Sequence, residues 1–110
     1  MKPMTLTEFE RKLYEYKTSK HNVSDDDRLK ETIKSAPLWT KLTVIASDHA
    51  GHYHVQYEKY KNAWLIFKHF HWQKDACIPD GMVAHDLTWI LRLPNARITT
   101  EITVEERKTT

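Results

Sequence analysis

The stretch HYHVQYEKYKNAWLIFKHFHW, residues 52–72, decides how this chain folds. Two periods compete within it. Tyr60, Trp64, Phe67 and His71 recur at steps of three and four, which suits a helix over 55–71. The same residues alternate apolar and polar on either side of Lys61-Asn62, which predicts a β-hairpin with strands at 52–60 and 63–72. With the turn at Lys61-Asn62, Tyr60 opposes Ala63, His54 opposes His69 and His52 opposes His71. Opposed residues and residues two apart share a sheet face, so all four histidines are expected on one side. Tyr53, Val55, Tyr57, Trp64, Ile66, Phe70 and Trp72 then fall on the other side as a core surface. Lys59 and Lys68 interrupt that surface and are expected at its rim.

Upstream, the pattern is helical. Thr5 or Thr7 caps a first helix, with Glu8 or Glu10 at the capping-box spacing, and Leu6, Phe9, Leu13 and Tyr16 line one face. Ser24 is the expected N-cap of a second helix, because Asp25, Asp26 and Asp27 follow it where carboxylates favour the positive end of the helix dipole. Leu29, Ile33 and Ala36 make its apolar stripe, and Pro37 stops it. Residues 38–47 read as a strand, with a turn at 48–51. Downstream, residues 73–84 read as a long loop around Pro79-Asp80-Gly81. Residues 85–93 and 97–106 read as a second hairpin turning at 94–96, and Ile98, Thr100, Ile102 and Val104 alternate along its last strand. The expected architecture is α+β: two N-terminal amphipathic helices packed on an antiparallel sheet of about five strands, a meander of hairpins. Residues 1–110 form one domain, with 107–110 as a frayed tail.

Composition narrows the function classes. The chain has 17 Lys and Arg against 15 Asp and Glu, for a net charge of +2. That is too little for a typical nucleic-acid binder, and no acidic excess suggests a nucleic-acid mimic. Apolar and aromatic residues make up 40%, enough to build a core without disulfides or metals. Cys77 is the single cysteine, so no intrachain disulfide forms. With no leader pattern and no long apolar run, a cytoplasmic protein with no membrane association is expected. Only two glycines occur, Gly51 and Gly81, so a phosphate-cradling loop is not expected.

Chemistry-bearing residues cluster in the hairpin. Five of the seven histidines lie between His49 and His71. His52, His54, His69 and His71 on one face form a candidate divalent metal site, with zinc as the expected ion, because opposed Cβ atoms lie about 4.5–5.5 Å apart. Four adjacent imidazoles would also repel one another once protonated, a pH-switch reading for conditions below about pH 6. The competing reading is a solvated polar face. A one-residue register slip scatters the set.

His52, His54 and Glu58, followed by Pro79-Asp80-Gly81 and His85, resemble the two motifs of cupin barrels. The resemblance covers 52–85 and implies a metal held by His52, His54, Glu58 and His85. The chain departs from the pattern in having one residue too many before His85 and no glycine after the glutamate segment. A straight strand also sets Glu58 about 20 Å from His52.

Cys77, His85 and Asp86 have the types of a thiol nucleophile, base and orienter, but spacing alone does not assemble them. Tyr60, Trp64 and Phe67 interleave with Lys61 and Lys68, a pattern that suits a partner surface or base stacking on single-stranded nucleic acid. By elimination the leading expectation is a small, non-enzymatic binding protein (an accessory, inhibitor or regulator of the phage or mobile-element type) acting through a protein partner. A metal-binding protein or metalloenzyme using the histidine cluster is the second reading. A nucleic-acid module is the third.

Overall fold

The computed structural model describes residues 4–49, 51–61, 63–68 and 72–102. Elements follow in the order α1 (Leu6–Lys17), α2 (Val23–Lys34), β1 (Thr40–Asp48), β2 (Gly51–Tyr60), β3 (Ala63–Lys68), β4 (Trp72–Pro79), α3 (Asp80–Ile90) and β5 (Arg97–Ile102). The strands form one antiparallel sheet in the order β4-β3-β2-β1-β5. Three helices pack on one of its faces. The α+β architecture, with two N-terminal helices and five strands, is therefore present with one helix more than the sequence pattern predicts.

Local chemistry explains the first two helices. Thr5 accepts the Glu8 N–H and starts α1, whose Phe9, Leu13 and Tyr16 are buried. Asn22, rather than Ser24, is the N-cap of α2. Its side chain accepts the Asp25 N–H at 2.9 Å, and the Asp25 carboxylate accepts the Asn22 N–H at 3.2 Å. This reciprocal pair satisfies two backbone donors that the first helical turn leaves without partners. The Asn22 N–H holds the Asp25 carboxyl below the usual carboxylate range, against the opposing effect of burial, with Arg28 assisting. Leu29 and Ile33 turn inward as expected.

The hairpin reading of residues 52–68 is the one observed. β2 pairs with β3 from Tyr60↔Ala63 through Val55↔Lys68, in the predicted register. The core face carries Leu42, Val44 and Ala46 of β1, Val55 and Tyr57 of β2, Trp64 and Ile66 of β3 and Ile98 of β5.

Two expectations fail in the C-terminal half. Residues 73–84 are not a loop: β4 occupies Trp72–Pro79 and runs directly into α3. Residues 85–93 are not a strand. Val83, Leu87 and Ile90 lie at helical steps and are buried together, so the helical period outcompetes the Leu87, Trp89, Leu91 alternation. The Pro79-Asp80-Gly81 signal marks a helix start rather than a turn, because proline suits an extended residue just before a helix and aspartate suits its first turn. With no strand at 85–93, β5 pairs instead with β1, Ile98 opposite Val44. Position 104 and the tail from 107 lie outside the described residues.

Within the helical layer α2 packs between α1 and α3, α1 lies over β5, and α3 lies over β3 and β4. Polar contacts tie the layer together. The Tyr16 hydroxyl donates to Asp26 at 2.7 Å, and Arg92, just past α3, approaches the same carboxylate at 3.8 Å. Burial, with Asp26 adding to it, pushes the Tyr16 phenol up to about 12.

Lys59 is the largest departure from the expected rim position. It is 4% exposed, on the core face one residue from the end of β2. Its ammonium donates to the Lys34 carbonyl at 2.9 Å and the Ile33 carbonyl at 3.5 Å, both at the C-terminus of α2. It also lies 3.8 Å from Asp80 of α3 and 5.6 Å from the centre of the Trp64 ring. Burial pulls its ammonium below the usual lysine range, and Asp80 opposes the shift. The helix C-terminus supplies partial negative charge to a cation that water cannot reach. Lys59→Ala leaves those carbonyls and Asp80 without their cation and is expected to cost about 3–5 kcal/mol, as does breaking other buried charge contacts. Urea unfolding measures it, and a loss below about 1 kcal/mol would contradict the assignment.

Candidate functional site

Among the described residues nothing covers the face of the sheet opposite the helices, and strand alternation determines what that face carries. From the observed register its side chains form rows across the strands. One row holds Arg97, Ile45 and His54 on β5, β1 and β2, and the next holds Thr99, Thr43 and Gln56. A third row holds Glu101, Lys41, Glu58, Leu65 and Cys77. Ile45 is 48% exposed, an isoleucine on a strand paired on both sides with no described helix over it. Gln56 donates to the Thr43 hydroxyl at 3.3 Å, so the middle row is neutral and internally bonded. Lys41 and Glu101 lie 4.0 Å apart.

An aromatic pair closes one end of this face. Tyr60 and Trp39 meet edge to face with centroids 5.1 Å apart, both half-buried. Trp39 has φ 70, in the left-handed region that a bulky side chain rarely adopts. Its N–H donates to the Lys59 carbonyl at 3.0 Å, and the following Thr40 bonds back to the Pro37 carbonyl through both its N–H and its hydroxyl. These bonds hold the strained residue where its indole meets Tyr60.

The sheet edges are less available than its face. At the β5 edge the Tyr14 hydroxyl of α1 donates to the Ile98 carbonyl at 3.2 Å. At the β4 edge the pairing shifts register between Leu65 and Ile66, from Leu65↔Cys77 to Ile66↔Gln73. Irregular or occupied edges discourage strand addition.

The structure separates the residues that sequence reasoning grouped. His52 and His54 lie exposed on the uncovered face of β2, as predicted. His69 and His71 lie outside the described residues, and so does position 70. Among the described residues no group of three or more His, Cys, Asp or Glu side chains is arranged to hold a metal. Lys61 is exposed in the β2–β3 turn with φ 45. Phe67 and Lys68 hold register positions opposite Gln56 and Val55.

Trp64 is 0% exposed and belongs to the core rather than to a surface with Tyr60. Its indole N–H donates to Asp80 at 2.7 Å. Cys77 is exposed on the uncovered face, opposite Leu65. Asp86 instead accepts the buried Tyr57 hydroxyl at 3.4 Å on the helical side, so the sheet lies between the thiol and the other two members of that set. The His52, His54, Glu58 and His85 set of the cupin resemblance is divided in the same way, since His85 lies on α3 of an open, helix-covered sheet.

Two concavities lie in the helical layer. A groove of about 460 Å³ between α2 and α3 is lined by Asp26, Asp27, Lys30 and His85 among others, and a cleft of about 90 Å³ lies between α1 and α2. The first is open and polar, unlike the apolar, enclosing sites that small ligands prefer.

No family model, curated protein or solved structure matches the chain. Among the described residues no helix is long and apolar enough to cross a membrane.

Proposed function

We propose that this is a non-enzymatic binding protein that acts through a protein partner held on the uncovered sheet face. The carrying observation is Ile45, half-exposed on β1 of a five-stranded face that, among the described residues, no helix covers. Around it stand neutral threonines and glutamine, then charges of both signs, with the Trp39–Tyr60 pair at one end. An apolar centre with a polar rim and aromatic anchors is the composition of a protein contact surface. Glu58 and Glu101 sit on the same face as Lys41 and Arg97, so phosphates would meet carboxylates, which favours protein over nucleic acid.

Ile45→Asp tests this reading. The side chain is exposed, so the fold is expected to tolerate the change within about 0.5 kcal/mol. Capture of the partner from its source cells by the immobilised chain should fall at least tenfold, while Lys30→Glu on the helical side should leave it unchanged. Equal capture by both variants would overturn the assignment of the face.

A second reading, a divalent metal held by His52, His54, His69 and His71, is favoured by one observation. The β2–β3 ladder follows the register that reading needs, as far as Val55↔Lys68. Native mass spectrometry with micromolar zinc should then show one retained ion, lost in the His54→Ala/His69→Ala double variant. No retained ion in the unmodified chain would sink it.

A further inference from the structure

Charge is not scattered over the uncovered face; it is sorted along the strands. Arg97 and His54 flank Ile45 in one row, Glu101 and Glu58 flank Lys41 four residues further along the strands, and the neutral row of Thr99, Thr43 and Gln56 separates them. On β5 the step from Arg97 to Glu101 reverses the sign of charge across Thr99. On β2 the step from His54 to Glu58 places a carboxylate where a basic side chain stood, across Gln56. Both steps are centred on the same row. A face that changes sign about a neutral line is complementary to itself.

We infer that the occupant of the uncovered face is a second copy of this chain, related by a two-fold axis that runs across the strands along the Thr99–Thr43–Gln56 row. This deepens the reading of the face as a contact surface and rests on it. Rotation about that axis turns the second sheet over and reverses its strands, so each strand crosses its own copy. Arg97 then faces the copy's Glu101, His54 faces the copy's Glu58, and each contact occurs twice, as an isologous interface requires. Ile45 lies over the aliphatic stem of the copy's Lys41, a stem that covers apolar surface while its ammonium reaches the rim.

The alternative orientation, with the two-fold axis running along the strands, sets Lys41, Glu58 and Glu101 in the same row as their own copies. It also brings the basic end against the basic end. Like charges in register disfavour it.

Size and shape agree with the proposal. With strands about 4.8 Å apart and same-face residues about 6.7 Å apart, each position covers about 32 Å², so strands of six to ten residues give the face a projected area on the order of 500–600 Å². Side-chain relief raises the accessible area toward the ~800 Å² per partner of a standard interface. Sheets packed face to face keep their strands within about 30° of alignment, which the proposed axis permits. The edges offer less: Tyr14 takes the Ile98 carbonyl on β5, and the register shift interrupts β4. Self-association through the face leaves the helical side free.

Charge reversal separates this proposal from a general loss of surface quality. Sedimentation equilibrium of the full chain should show a monomer–dimer equilibrium with a dissociation constant at or below tens of micromolar. Arg97→Glu should weaken it at least tenfold, and so should Glu101→Arg. The Arg97→Glu/Glu101→Arg double variant, which restores opposite charges across the axis, should recover most of the affinity. Circular dichroism melting of each monomeric variant checks that the fold is retained.

A chain that stays monomeric at several hundred micromolar overturns the proposal. A dimer whose double variant is as weak as the single ones overturns the stated axis. The fate of the broader reading is separate: a monomeric chain whose Ile45→Asp variant still loses a heterologous protein keeps the face as a contact surface, with a different occupant.

Discussion

The fold depends on one buried cation. Lys59 is buried on the core face near the end of β2, and both its side chain and its backbone bond to what surrounds it. The ammonium closes the carbonyl end of α2 and approaches Asp80 at the start of α3, while the Lys59 carbonyl receives the Trp39 N–H at the entrance to β1. Desolvating an ammonium is costly, and a helix C-terminus together with a carboxylate and an aromatic face offsets that cost only when all three are in place. The constraint therefore runs outward. It ties the end of α2, the turn through Pro37 and Thr40, and the start of α3 to one residue. Trp64 is fixed between the same groups, its ring beside the ammonium and its N–H on Asp80.

That cluster joins α2 and α3 on one side of the sheet, and among the described residues the other side carries no helix. Strand alternation sends Lys41, Ile45, Glu58 and Arg97 there, and the left-handed Trp39 places its indole against Tyr60 at the end of the same face. The asymmetry is thus physical in origin. One face is specified by burial around Lys59, and the other is free to be specified by contact with something else. The two edges are interrupted by separate means, a tyrosine hydroxyl on β5 and a register shift on β4, which leaves the flat face as the accessible contact area.

The first helix was legible from sequence because the Leu6, Phe9, Leu13 and Tyr16 spacing admits one burial pattern. At 52–72 a helical period competes with the alternation on either side of Lys61-Asn62, and the turn between the two runs selects the hairpin and its register. Residues 73–93 were not legible, because Pro79-Asp80-Gly81 suits a turn and a helix start equally. Helical and alternating apolar periods overlap at Leu87, Trp89 and Leu91, and packing against α2 decides between them. The depth of Lys59 was hidden for a different reason: its partners are backbone carbonyls 25 and 26 residues away and the Asp80 carboxylate of a helix that the pattern did not predict. Trp64 illustrates the same difficulty at the candidate site. A tryptophan among lysines looks like a surface anchor until its neighbour is seen to be buried with it. The charge sorting on the uncovered face becomes visible only when β5 is known to pair with β1, since Arg97 and Glu101 then fall in the rows of Ile45 and Lys41.

Cys77 is a direct probe of whether a second copy occupies the uncovered face. The thiol is exposed on that face and is the only one in the chain, so its alkylation reports on a single position. Its alkylation rate by a neutral maleimide should be measured across protein concentrations from below one micromolar to several hundred micromolar. With a second copy on the face, the rate falls several-fold as the dimer forms and recovers on dilution. A rate constant that stays flat over the whole range would contradict it.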